Sequence, residues 1–376
     1  MSRWLFYADT PLQVYNASLL AIHLSKKSKC SIVIYGQFSD AKRIGNSLSK
    51  LNLFEHVYYL EEYHCNGFKN ILMWQIKIIL GVNKTKILDI PLDNYDYFAL
   101  SFPSPSAHEV LMNTRKKNPS LRTVFFEDGT GTYVGNCFRI PLYFDKPPAR
   151  SIKSPLHVEA IKKVFRLVTR SKYLYRPVEI YVKRPDLLDF HSSIPVKKIP
   201  TSPTELQQLL SVFPSPSCKP QINGIVIFDV MRNQTVQYGS DIIDSVLQKL
   251  TSDNINIYLR NHPRSTIKSI YADSCTDISG GLWEILCQQL DLSNALLIGI
   301  GSTAQLSPLI EIDKKPSLLF LHRIAFEQND IMYQLMEQCL NISFIGYKDA
   351  ANKIFAPTDI DEALSVLQAF QENFHR

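Results

Sequence analysis

"WLFYADTPLQVYNASLLAIHL", residues 4 to 24, decides the fold. Its first five residues are aromatic or aliphatic without a break, as in a strand buried on both faces. Asp9 ends the run, Thr10 stands where a helix cap belongs and Pro11 where the first helical residue belongs. A strand that passes through a capped turn straight into a helix is the opening of a parallel βαβ unit.

The same alternation continues outward. "SIVIYG" (31–36), "HVYYL" (56–60), "YDYFALS" (95–101) and "RTVFFE" (122–127) read as strands. Helices are expected over 40–51, around 69–80 and near 106–115. No hairpin signal interrupts them, so a parallel sheet covered on both faces is expected over residues 1–150. From 151 to 220 the pattern fails: prolines and basic residues dominate, and "HVEAIKKVFRLVTR" (157–170) has Ile161, Val164, Phe165 and Val168 on one helical face. After 221 the alternation returns. Strands are expected at "GIVIFD" (224–229), "NIYLR" (256–260), "ALLIGI" (295–300) and "SLLF" (317–320), with helices near 240–250, 282–290, from Ser302 and from Asp359. The fold class is therefore α/β. Two Rossmann-like parallel-sheet domains, 1–150 and 221–376, joined by a basic, proline-rich linker, make the GT-B plan in which the domains face a cleft.

Bulk properties agree. At 376 residues the chain is too long for one comfortable core, and 45% hydrophobic with 20% charged residues is globular rather than disordered. A net charge of +6 is mild and selects no class of anionic partner by itself. The seven cysteines form no CxxC pair, which points to a reducing cytoplasm with neither disulfide framework nor zinc site. Asp9 comes too early for a signal peptide, and "ILMWQIKIILGV" (71–82) is too short to span a bilayer. A cytoplasmic protein is expected, soluble or peripheral at the inner face of a membrane.

Three stretches carry chemistry. "IYLRNHPRS" (257–265) ends a strand on Arg260, His262, Pro263 and Arg264. Proline holds His262 extended, and cations at a strand's carboxyl edge suit an anionic leaving group, although a solvated basic loop reads the same way. "IGIGSTAQLSP" (298–308) thins a turn with Gly299 and Gly301 and then opens a helix on Ser302 and Thr303, where free N–H groups favour an anion. An ordinary capped helix would look alike. "VFFEDGTGTYVG" (124–135) ends a strand on Glu127, Asp128 and Gly129, either as a plain Asp-Gly turn or as a general base at the sheet's edge. "DID" (359–361) sits at a helix start, where acids serve the helix dipole, so no metal site is expected there.

Taken in order, "TPLQ" (10–13), "EDGTG" (127–131) and "HPR" (262–264) resemble the bacterial sialyltransferases, with the nearer likeness to glycosyltransferase family 52, the lipooligosaccharide sialyltransferases. Glu127 replaces that family's usual first Asp. The resemblance implies an inverting, metal-independent GT-B enzyme with no cofactor. Its donor would be CMP-sialic acid and its acceptor a cell-surface glycan such as terminal galactose, in lipooligosaccharide or capsule biosynthesis. It assigns His262 as acid or phosphate partner, and Ser302 and Thr303 as nucleotide-phosphate contacts. Arg260, Pro263, Arg264 and Gly301 join them on the donor side, and Thr10, Gln13 and Gly129 on the acceptor side. For the base it leaves Glu127, Asp128 and, in the second domain, Asp229. Open alternatives are another donor (CMP-Kdo, CDP-glycerol or UDP-glucose) or an inactive nucleotide-binding scaffold. Contact of helix 157–170 with anionic membrane and a homodimer are also open, whereas nucleic acid is not an expected partner.

Overall fold

The computed structural model describes residues 1–38, 40–61, 95–102, 104–133, 177–188, 194–213, 221–232, 239–252, 255–262 and 265–374. The chain divides into two compact units, Met1–Val212 and Phe213–Arg376, each built on one all-parallel sheet.

In the first unit β1 (Ser2–Ala8) leads through α1 (Pro11–Leu24) to β2 (Ser28–Tyr35), and α2 (Ala41–Lys50) leads to β3 (His56–Leu60). β4 (Tyr97–Leu100), α3 (Pro105–Lys117), β5 (Arg122–Phe126) and the single turn α4 (Thr130–Tyr133) follow. β6 (Pro177–Val182), β7 (Val196–Lys198) and α5 (Pro203–Leu209) complete it. The strand order is β3-β2-β1-β4-β5-β6-β7. Thr10 caps α1 and Pro11 opens it, as the sequence indicates. The expected linker is corrected in part: β6 and β7, inside 151–220, extend the first sheet, with β6 parallel to β5. Pro177 is tolerated because it is the first residue of its strand. The proline-rich flanks hid a short apolar strand. The helices expected at 69–80 and 157–170 lie outside the described residues.

The second unit runs β8 (Gly224–Phe228), α6 (Ser240–Ser252), β9 (Ile257–Arg260), β10 (Thr276–Asp277), α7 (Trp283–Gln289) and β11 (Ala295–Gly299). It continues with α8 (Ser307–Ile312), β12 (Ser317–Phe320), α9 (His322–Ala325), α10 (Ile331–Gly346), β13 (Ile354–Phe355) and α11 (Ile360–Phe374). The order is β10-β9-β8-β11-β12-β13. β8 and β11 are buried along their whole length, and their inward Ile225, Ile227, Leu296 and Ile298 join Ile243, Val246, Leu247, Ala363 and Leu367 of α6 and α11 in one core. Each such aliphatic side chain contributes roughly 2 kcal/mol.

The helix expected from Ser302 is corrected. Thr303–Leu306 form a 3-10 turn, and α8 begins only at Ser307. Gln305 explains this local geometry, since its buried amide donates to both Leu297 O and Leu319 O and thereby bridges β11 and β12. The 16-residue α10 was not anticipated, because its apolar residues run around the helix instead of along one stripe.

Candidate functional site

Both sheets reverse strand order beside their first strand, between β1 and β4 and between β8 and β11. At such a switch point the flanking loops part, and open α/β sheets bind ligands at the carboxyl ends there. Most of the described candidate residues stand at or next to these two edges.

At the first edge the loop after β5 supplies Glu127, Asp128 and Gly129. Glu127 points inward and is 1% exposed. Its Oε2 accepts from the Tyr133 hydroxyl at 2.6 Å and from the Lys183 main-chain N–H at 2.8 Å, while the Lys183 ammonium lies 3.8 Å from Oε1. Its carbonyl accepts from Asn16 at 2.9 Å and Ser101 at 3.2 Å. Glu127 is thus a buried anchor joining β5 to the end of β6. Asp128 is partly exposed, and its N–H donates to Thr132 Oγ1 at 2.8 Å. Gly129 has φ +70°, a backbone conformation that favours glycine, and a Cβ there would press on Leu12 Cδ2 at 2.9 Å.

Thr10 and Gln13 do different work. The Thr10 hydroxyl accepts the Gln13 N–H at 3.2 Å as the helix cap. The Gln13 side chain bridges two acids: Oε1 accepts the Asp9 N–H at 2.9 Å and Nε2 donates to Asp128 Oδ1 at 3.0 Å. Asp9 itself is 7% exposed, and its carboxyl is raised to about 6, chiefly by burial and then by the negative charge of Asp128. Sequence reasoning passed over Asp9, although its place immediately after a buried strand is the same as that of Asp229.

At the second edge a pocket of about 500 Å³ is lined by His262 from the loop after β9 and by Ile300, Gly301, Ser302 and Thr303 after β11. Phe228 and Asp229 at the end of β8, with Phe326, Asp330 and Met332, contribute further wall. Its size suits a nucleotide-sized ligand, its apolar residues can face a base, and its hydroxyls and imidazole can face a phosphate. The Ser302 hydroxyl caps no helical N–H. Gly301 keeps the wall thin, since a Cβ there would come 3.3 Å from Met332 Cε. Asp330, not anticipated, caps α10 by accepting the Met332 N–H at 2.8 Å.

Two of the residues singled out in the sequence are engaged within the protein here. Arg260 donates to Ile278 O and Gly281 O, each at 2.8 Å, and lies over the Trp283 ring. It holds the loop after β10 and is absent from the pocket wall. Asp229 lines the pocket, yet both its oxygens take the Arg232 Nε–H, at 2.8 and 3.0 Å, and Oδ1 also accepts the Val230 N–H. Arg232 in turn forks onto Asp244 at 2.9 Å twice. Burial raises the Asp229 carboxyl above the ordinary range even against that guanidinium. So engaged, Asp229 is a structural partner of Arg232 at the pocket wall. Its cue was the Asp-x-x-Arg spacing in "DVMR". Pro263 and Arg264 lie outside the described residues.

No protein-family model matches the chain, and no curated protein matches it. Solved structures do. Medicago truncatula UGT71G1 complexed with UDP-glucose aligns over 94% of this chain and 92% of its own, at 11% identity and a TM-score of 0.50. Phytolacca americana UGT2, complexed with UDP-2fluoro-glucose and pterostilbene, aligns over 98% and 90%, at 10% identity and a TM-score of 0.52. The glycotransferase of kitacinnamycin gives 96%, 86%, 8% and 0.51 for the same quantities. The likeness shows the fold: two parallel-sheet α/β domains on the GT-B plan of glycosyltransferases.

Proposed function

We propose that the chain is an inverting, metal-independent glycosyltransferase that moves sialic acid from CMP-sialic acid to a hydroxyl of a glycan acceptor. The observation that carries the transferase reading is the second domain's pocket, in which His262, Ser302 and Thr303 converge at the sheet's switch point. The fold neighbours, one solved with UDP-glucose, support a nucleotide-sugar donor. The choice of a CMP donor rests on the resemblance of "TPLQ", "EDGTG" and "HPR" to the lipooligosaccharide sialyltransferases.

In this reading Asp128 takes the proton of the acceptor hydroxyl as its oxygen bonds to the anomeric carbon. The bond from that carbon to the CMP phosphate oxygen breaks. His262 donates to the departing phosphate, and the Ser302 and Thr303 hydroxyls hold its oxygens. The developing charges are opposite in sign and each meets a suitable group. The UDP-glucose alternative keeps the same pocket and changes only the donor.

A donor panel of CMP-sialic acid, CMP-Kdo, CDP-glycerol and UDP-glucose, read by mass spectrometry with EDTA present, tests the proposal. Transfer from CMP-sialic acid in EDTA is expected. Transfer from UDP-glucose alone would overturn the donor and leave the transferase standing. Asp128→Asn should lower turnover roughly a hundredfold or more with CMP binding retained.

A further inference from the structure

The reading above gives Asp128 the proton but leaves open what makes it a good acceptor. Three observations bear on this. Asp9 and Asp128 leave different strands, β1 and β5, yet are joined by one side chain, the Gln13 amide, itself 3% exposed. The amide cannot be turned round: the Asp9 main-chain N–H requires its oxygen, so its NH2 must face Asp128, which must accept. Finally, Asp9 forms no ion pair among the described residues. Around it stand the Gln13 amide from α1, the Ser104 hydroxyl before α3, the Tyr7 phenol on β1 and the charge of Asp128. Lys183 lies against Glu127 and the Tyr15 ring.

We infer that Asp9 is the positioning residue of the Asp128 base, its negative charge strengthening Asp128 as a proton acceptor while the shared Gln13 amide fixes the carboxylate's rotation. The inference rests on the proposed transferase reading. Two acids sharing a low-dielectric edge resist carrying two full charges, so the pair takes up a proton more readily than a lone carboxylate. That is the property required at the moment the acceptor hydroxyl is deprotonated. Asp9 needs no contact with substrate for this, and the pocket that would hold the donor is in the other domain.

The test is the pH dependence of turnover for the wild type, Asp9→Asn and Asp9→Glu, with Asp128→Asn measured beside them. Activity falls at low pH when the pair takes up its first proton, either on Asp9, which then no longer charges its neighbour, or on Asp128 itself. Removing the neighbouring negative charge lets the base lose its proton at lower pH, so the acid limb of Asp9→Asn should move down by about one pH unit. Plateau turnover should drop roughly tenfold as basicity falls, with the donor KM unchanged. Asp9→Glu, which keeps the charge, should return the limb towards its wild-type position. A limb that stays in place while the rate drops by one factor at every pH would overturn the inference. If Asp9→Asn does not fold, Asp9→Ser is read by the same two criteria. Wild-type turnover in Asp128→Asn would instead remove the base itself. The two failures are therefore distinguishable.

Discussion

Asp9 and Asp229 occupy the same position in the two domains. Each is the first residue after the strand at which its sheet reverses, and each is buried, at 7% and 4% exposure. Their surroundings are opposite. Asp229 holds the Arg232 guanidinium, which is shared with Asp244. Among the described residues Asp9 is given hydrogen-bonding dipoles and a second acid. Strand order fixes where an acid stands, and its partner fixes what the acid can do. With Asp229 held by Arg232 and Asp330 capping α10, the imidazole and hydroxyls of the second domain's pocket would, in the proposed reaction, meet the departing anion. Gathering two carboxylates at the first domain's edge suits the uptake of a proton.

The largest expected effect sharpens this contrast from the second domain's side. His262→Ala should lower turnover by roughly a hundred to ten thousandfold, because the group acts on charge that develops in the transition state. CMP binding, followed by calorimetry, should change only a few-fold. A collapse of CMP affinity with turnover of the bound donor preserved would make His262 a binding residue and no acid. Next in size is Asp229→Asn. It leaves a buried guanidinium with Asp244 as its remaining carboxylate, and breaking such a pair costs about 3 kcal/mol. Urea unfolding should show the loss. If this variant were as stable as the wild type but lost transfer, Asp229 would be the base, and the contrast between the two acids would fail.

How much of this was readable beforehand follows from the kind of interaction involved. Strands and helices built on uninterrupted apolar runs, such as "GIVIF" and "ALLIG", were legible because local composition alone dictates them. The Thr10 cap and the Pro11 start were legible for the same reason. β6 was not, since "PVEIYV" is a strand only by virtue of pairing with β5, far away in sequence. At the sites, residue type located the edges but could not assign partners. Arg260 and Arg264 look alike in "LRNHPR", and only the fold turns Arg260 onto Ile278 O and Gly281 O. Likewise Glu127 and Asp128 are neighbours of like charge. The pleat at the end of β5 sends the first inward to Tyr133 and Lys183 and leaves the second at the edge. Asp9 was overlooked because nothing in "YADTP" marks an acid that the sheet will bury.

The smallest effect has the opposite sign to that of Asp229→Asn. The Asp9 carboxyl is raised in the folded protein from 3.8 to about 6, so the native state binds this proton more tightly than the unfolded chain does. Below pH 4 both states are protonated and Asp9 is neutral to stability. Between pH 4 and 6 the unfolded chain has released its proton while the native state has not, and stability drains away as pH rises. Above pH 6 the full penalty stands, roughly 3 kcal/mol for two units. Asp9→Asn removes the charge but keeps the side chain's shape and an acceptor oxygen, so at pH 7.5 it should be about 2 kcal/mol more stable than the wild type. At pH 4 the two should unfold together. Glu109 and His108, shifted by burial to about 7 and about 4, titrate near the same window, but they are common to both proteins and cancel in the difference. The measurement is therefore the gap between two urea midpoints followed from pH 4 to 7.5. A gap that opens upward with pH identifies an acid held ionised against its surroundings, and a loss of turnover in the same variant attaches that strain to catalysis. A constant gap would mean that the Asp9 charge is offset by its own surroundings, and the contrast drawn with the Arg232-paired Asp229 would fail.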